Sequence, residues 1–184
     1  MGDTTAREAR CAVIVGPYTA GKTTLLEAML FTAGAIQRKG TVPQGSTVGD
    51  AAPEARQRQM TTDPNVVHFS YLGDPWAVID CPGSVELAQE TRTALMAADI
   101  AIVVAEPDPA RAAALAPLLR SLDELAIPHV IFVNKIERAP ARIRDLLSAL
   151  QAASARPLVL REVPIREGES ITGYVDLVGE RAWH

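Results

Sequence analysis

The residues Gly16-Pro17-Tyr18-Thr19-Ala20-Gly21-Lys22-Thr23 fit the spacing G-x-x-x-x-G-K-[ST]. Two glycines in such a stretch let successive backbone N–H groups turn inward and form a concavity for phosphate oxygens. Lys22 is long enough to reach the β- and γ-phosphates, and the hydroxyl of Thr23 is a ligand for Mg²⁺. A helix opening at Lys22, with Thr24 in its first turn, adds the positive end of its dipole. Pro17, Tyr18, Thr19, Ala20 and Gly21 would form the cradle itself. The chemistry predicted here is the binding of a nucleoside triphosphate with Mg²⁺.

Asp80-Cys81-Pro82-Gly83 follows the apolar run Val78–Ile79 and fits D-x-x-G. An aspartate at a strand end can hold Mg²⁺ through a water, and a glycine lets its N–H approach a γ-phosphate closely. Asn134-Lys135-Ile136-Glu137 follows the apolar run His129–Val133 and resembles N-K-x-D. In that pattern the carboxylate accepts two bonds from the guanine edge, a donor pair that adenine lacks. Glu137 keeps the carboxylate but sets it one methylene further out. Between the first two groups, Gly34–Thr61 has little periodicity and is rich in Gly, Pro, Gln and Thr. A loop of that length inside a compact domain is usually functional. A threonine in such a loop can bind Mg²⁺ and a γ-phosphate oxygen and let go after hydrolysis. Thr61 and Thr62 are the candidates, with Arg56–Arg58 just upstream.

The elements that must carry these groups are legible from periodicity. Cys11–Val15 reads as a strand and Lys22–Thr32 as a helix. Val66–Tyr71 and Trp76–Asp80 read as a hairpin around Gly73-Asp74-Pro75. Val85–Ala98 reads as a helix capped by Ser84, and Ile100–Ala105 as a buried strand. Pro109–Leu125 reads as a helix that Pro117 kinks or splits. His129–Val133 reads as a second buried strand and Ala141–Ala153 as an amphipathic helix. Leu158–Val163 and Tyr174–Val178 read as strands around a polar loop at Arg166–Ser170. This order predicts an α/β fold of the P-loop type, a mostly parallel sheet with one antiparallel edge strand and helices on both faces.

At 184 residues, with 48% hydrophobic and 22% charged residues, the chain fits one globular domain. A net charge of −4 and 4% aromatics argue against direct sequence-specific gripping of nucleic acid. Met1–Arg10 is polar, and Ile100–Ala105 is too short an apolar run for a bilayer, so a cytoplasmic chain without membrane contact is expected. Cys11 and Cys81 read as buried free thiols. Ser148-Ala149-Leu150 and Ser154-Ala155 mimic a base-packing S-A element, but they fall in or at the end of a helix. His68, His129 and His184 show no metal-ligand spacing.

Taken together, the chain resembles the N-terminal G domain of translation elongation factor G. Gly21–Leu30 and the exit Phe31–Ile36 resemble that family's first helix, and Arg58-Gln59-Met60-Thr61-Thr62 falls where it has R-G-I-T-I. Asp80–Gly83 matches D-T-P-G, Val130–Arg138 resembles F-V-N-K-M-D-R, and Ile171–Val178 resembles F-x-G-x-V-D-L-V. The resemblance implies GTP and GDP as ligands, Mg²⁺ held by Thr23, Thr61 and Asp80, guanine held by Asn134, Lys135 and Glu137, and the ribosome as partner. It implies a G domain over 1–184, with an inserted subdomain beginning at about 164 and later domains absent, as in a piece of a longer factor. For catalysis it points to Lys22, Thr61, Gly83 and Ser84. Ser84 stands where the family has a histidine that positions the attacking water, so slow GTP hydrolysis is expected. Thr19 and Glu137 stand where the family has aspartates, and Tyr18 and Met60 differ from its usual aliphatic pair. Two other functions fit the P-loop: a nucleotide-binding module that hydrolyses nothing, and an ATP-dependent P-loop enzyme.

Overall fold

The computed structural model describes residues 9–48, 64–83, 88–139, 142–168 and 170–184. They form two compact units, Met1–Val104 with Glu124–Phe132, and Ala105–Asp123 with Val133–His184.

The first unit is built on a five-stranded sheet. Its strands are β1 (Arg10–Val15), β2 (Asn65–Tyr71), β3 (Asp74–Asp80), β4 (Ile100–Ala105) and β5 (His129–Val133), in the order β2-β3-β1-β4-β5. β1 lies parallel to both β3 and β4, while β2 runs antiparallel to β3 at the edge. Ala101 N donates to Pro128 O, and Asn134 N donates to Ala105 O; start meets start and end meets end, so β5 runs parallel to β4. The mixed, mostly parallel sheet is the one expected. The β2–β3 turn is Leu72-Gly73, with φ of 52° and 84°. Positive φ at both central residues is the two-residue turn whose twist suits a hairpin. Asp74 and Pro75 therefore belong to the strand and not to the turn.

Strand alternation divides the core in two. Ala12, Ile14, Val67, Val78 and Val104 face helix α1 (Lys22–Thr32), which supplies Leu26 and Leu30. Val13, Val15, Ala101 and Val103 point the other way and are also buried, so both faces are covered. Helix α2 (Ala88–Met96) lies along β1 and buries Ala94 and Leu95. One expectation fails at β5: Val130 and Phe132 are 50% and 41% exposed, so this strand is half-open and not buried. It is the last strand in the sheet, and an edge strand keeps its apolar pattern without being covered on every side. Cys81 is buried as expected, whereas Cys11 is only partly so.

Charge also enters this core. Glu27 of α1 is 2% exposed, and its two carboxylate oxygens accept from Gly40 N at 2.6 Å and Val48 N at 2.7 Å. Both ends of the loop 40–48 are thus held to α1 by one side chain. Gly40 is required there, because a Cβ would meet Ser46 O at 2.2 Å. Glu27→Ala removes two charge-assisted bonds and leaves two amides without their acceptor. It should cost about 2–4 kcal/mol and lower the thermal midpoint by several degrees. An unchanged melting curve would contradict this account of Glu27.

In the second unit, Pro117 splits the expected helix into α3 (Pro109–Ala112), a 3₁₀ turn (Ala113–Leu115) and α4 (Ala116–Glu124). Asp108 caps α3 through its carboxylate, which accepts from Ala110 N at 2.9 Å. The α3 segment packs against α5 (Ile143–Ala153), which buries Leu146 and Leu150. Strands β6 (Glu162–Glu167), β7 (Ser170–Asp176) and β8 (Arg181–Trp183) form a separate antiparallel sheet in that order. This corrects the expectation from sequence. Leu158–Arg161 is not strand, and most of the expected polar loop is paired, with Arg166 opposite Ile171 and Glu167 opposite Ser170. The apolar Leu158–Leu160 run suggested a strand but has no sheet partner among the described residues, whereas the polar hairpin ends have one.

Candidate functional site

Within each unit, polar groups sit at the carboxyl ends of strands, the ends at which open α/β sheets bind ligands. The glycine loop follows β1, Asp80 ends β3, Glu106 follows β4, and Asn134 follows β5.

In the first unit the loop turns through positive φ at Gly16 (142°), Thr19 (66°) and Gly21 (96°). A Cβ at Gly16 would meet Val104 O at 2.3 Å, so this glycine also lets β1 leave the sheet beside β4. Gly21 caps α1 in the left-handed region and makes no side-chain cap. Ala20 is fully buried under the loop, and Tyr18 is half-exposed on its outside. Lys22 folds back over the loop and donates from Nζ to Pro17 O at 3.1 Å. It is 7% exposed, and burial pulls its pKa below that of an ordinary lysine while Asp80 and Cys81 oppose the shift.

Asp80 is 1% exposed, and its Oδ2 accepts from Thr23 Oγ1 at 2.7 Å. Its Oδ1 is buried without a hydrogen-bond partner among the described residues. Burial pushes the carboxyl up to about 6, against the pull of the Thr23 hydroxyl and the Lys22 ammonium. An orphaned buried carboxylate oxygen beside a threonine hydroxyl fits a hard divalent cation, whose ligands are oxygens. Gly83 closes this corner: a Cβ there would meet Lys22 Nζ at 2.4 Å and Tyr18 N at 2.8 Å. Beside Asp80, Cys81 is fully buried, and burial pushes its thiol up to about 12, so it is inert as a nucleophile. Thr61, Thr62 and Ser84 lie outside the described residues.

In the second unit, Asn134, Lys135 and Glu137 come together in one turn. Asn134 Oδ1 accepts from Lys135 N at 2.9 Å, Lys135 takes φ 55°, and Ile136–Arg138 is a 3₁₀ turn. Glu137 is the most open member, with its side chain 61% exposed and 3.6 Å from Arg138 Nε. Two supporting residues were not found in the sequence. Glu106 takes Lys135 Nζ at 2.7 Å, and Arg166 of β6 donates to Ile136 O at 3.1 Å. The signal for Glu106 was present, since it is the charged residue at the end of an apolar strand, as Asp80 is.

Residues 7–175 match the family described as the elongation factor Tu GTP binding domain. The chain belongs to this family. As a GTP-binding domain of that kind, it is 45% identical over its whole length to an elongation factor G-like protein of Synechocystis, covering 27% of that protein. It is 33% identical to a mitochondrial ribosome-releasing factor 2 of Danio rerio, over 90% of this chain and 22% of the relative. A crystal structure of a Thermus thermophilus protein superposes with a TM-score of 0.84 at 30% identity, covering 95% of this chain and 26% of that one. The GTP-binding domain thus spans about a quarter of the relatives it matches. The resemblance to elongation factor G and the P-loop fold are borne out, and among the described residues no helix is long and apolar enough to cross a membrane.

Proposed function

We propose that this domain binds GTP and GDP with Mg²⁺ and hydrolyses GTP slowly, as the nucleotide unit of a cytoplasmic factor that works on the ribosome. The observation that carries the reading is the bond from the half-buried Thr23 hydroxyl to the buried Asp80 carboxylate, with the orphaned Asp80 Oδ1, beside the ammonium of Lys22. The names of the relatives support the ribosome as partner.

In this reading Pro17–Thr24 wrap the phosphates, and Lys22 gives up its bond to Pro17 O for β- and γ-phosphate oxygens. Thr23 and Thr61 would hold Mg²⁺ directly, and Asp80 through a water. The ion, when bound, supplies positive charge against the charge developing on the transferred phosphoryl oxygens. Gly83 offers its N–H to the γ-phosphate, a role for which a side chain would leave no room. Asn134, Lys135 and Glu137 take the guanine, and the open position of Glu137 gives its longer arm space to reach. Residues from about 164 onward would begin an inserted subdomain, a reading supported by the separate antiparallel sheet that starts at Glu162.

Ser84 is too short to place an attacking water as a histidine would. GTP turnover by this chain alone should therefore be slow, and Ser84→His should raise it by about tenfold or more. An unchanged rate would sink this account of Ser84. Full GTP affinity with no turnover in either form would favour a binding module without hydrolysis.

A further inference from the structure

Glu106 stands apart from the residues given a role so far. It leaves β4 directly into the second unit, and its side chain is only 16% exposed. One oxygen takes Lys135 Nζ at 2.7 Å, and the other takes the guanidinium of Arg111. Contact with these two cations, Lys135 first, holds the carboxyl below the usual carboxylate range.

What Glu106 holds is the centre of the Asn134–Glu137 turn. Lys135 adopts φ 55°, a region that side chains other than glycine, asparagine and aspartate seldom enter. The same residue donates its N–H to the Asn134 side chain and, through its carbonyl, accepts from Arg138 N at 2.8 Å. The backbone of the turn and the orientation of Asn134 therefore both depend on where Lys135 is fixed. A flexible lysine stem fixes nothing by itself; its ammonium must be anchored. Arg166 steadies the next residue through the Ile136 carbonyl.

We propose that Glu106 is a specificity-determining positioning residue: by anchoring the Lys135 ammonium it fixes the Asn134–Glu137 turn in the form that discriminates guanine from adenine. This rests on the reading of that turn as the base-binding element. Glu106 is given no contact with the ligand. It acts through Lys135, so its loss should alter base selectivity more than phosphate affinity.

The test is titration of the whole chain and of Glu106→Gln, Lys135→Met and the double variant with GDP and ADP in Mg²⁺. Glu106→Gln should reduce the ratio of ADP to GDP dissociation constants by about tenfold, mostly through weaker GDP binding. Added to Lys135→Met, it should change that ratio little further, because both act through one contact. A merely structural role would weaken both nucleotides together and leave the ratio unmoved. A ratio within twofold of the parent, or penalties that add in full, would overturn the proposal. Hydrogen exchange of the nucleotide-free chain separates this idea from the reading beneath it. If the parent binds neither nucleotide, the base-loop reading fails. Faster exchange of the amides in 134–138 on Glu106→Gln would still uphold the anchoring, and unchanged exchange would end it.

Discussion

Lys22→Ala should weaken GDP binding by at least ~100-fold, equivalent to about 2.7 kcal/mol, while the chain stays folded. Lys22 lies across the mouth of the glycine loop, 7% exposed, with its ammonium on Pro17 O. Without it, the phosphates would meet the buried Asp80 carboxylate with no intervening cation except the metal. Alanine keeps the helix start, since it is the best helix former. Circular dichroism should show the parent fold, and calorimetry should show the lost binding. GDP affinity within a few-fold of the parent would mean that this loop does not hold phosphate.

Asp80→Asn should move stability and binding in opposite directions. Its carboxyl is raised from 3.8 to about 6, so the folded chain holds this proton more tightly than the unfolded chain does. The contribution to stability is therefore complete below about pH 4 and is lost as pH rises through 6. Near pH 7 the ionised group costs on the order of 3 kcal/mol, the free energy that separates a carboxyl titrating at 3.8 from one titrating at about 6. A neutral asparagine avoids that cost, and the unliganded variant should melt several degrees higher. The same change removes the charge proposed to draw a divalent cation beside Thr23, so the gain in nucleotide affinity on adding Mg²⁺ should shrink about tenfold or more. A variant that melts lower, or that keeps the full Mg²⁺ effect, would contradict the role given to Asp80.

How far the sequence could be read depended on the range of the interactions. The glycine loop is a local pattern, and so were β1, α1 and the strand that ends at Asp80; each holds in the fold. The split at Pro117 was equally local, because a missing N–H acts on its own turn. Edge status is not local: Val130 and Phe132 alternate like core residues, and only the strand order shows β5 at the margin. The hairpin at Glu162–Asp176 was misplaced for a similar reason, since pairing with β7 outweighed the apolar content of Leu158–Leu160. Glu27 carries no local signal, because its partners are backbone amides 13 and 21 residues away. Glu106 and Lys135 are 29 residues apart, and nothing in either segment alone pairs them. Thr61 and Thr62 follow from the long loop, and the catalytic role of Ser84 from the resemblance; all three lie outside the described residues.

The central claim is that this chain binds guanine nucleotides in preference to adenine ones, through a phosphate loop and a cation. Isothermal titration with GDP, GTP and ADP in Mg²⁺ tests it directly. The account predicts saturable binding of GDP and GTP, with ADP at least about tenfold weaker. ADP binding as tightly as GDP, or no binding of any of the three, would contradict it.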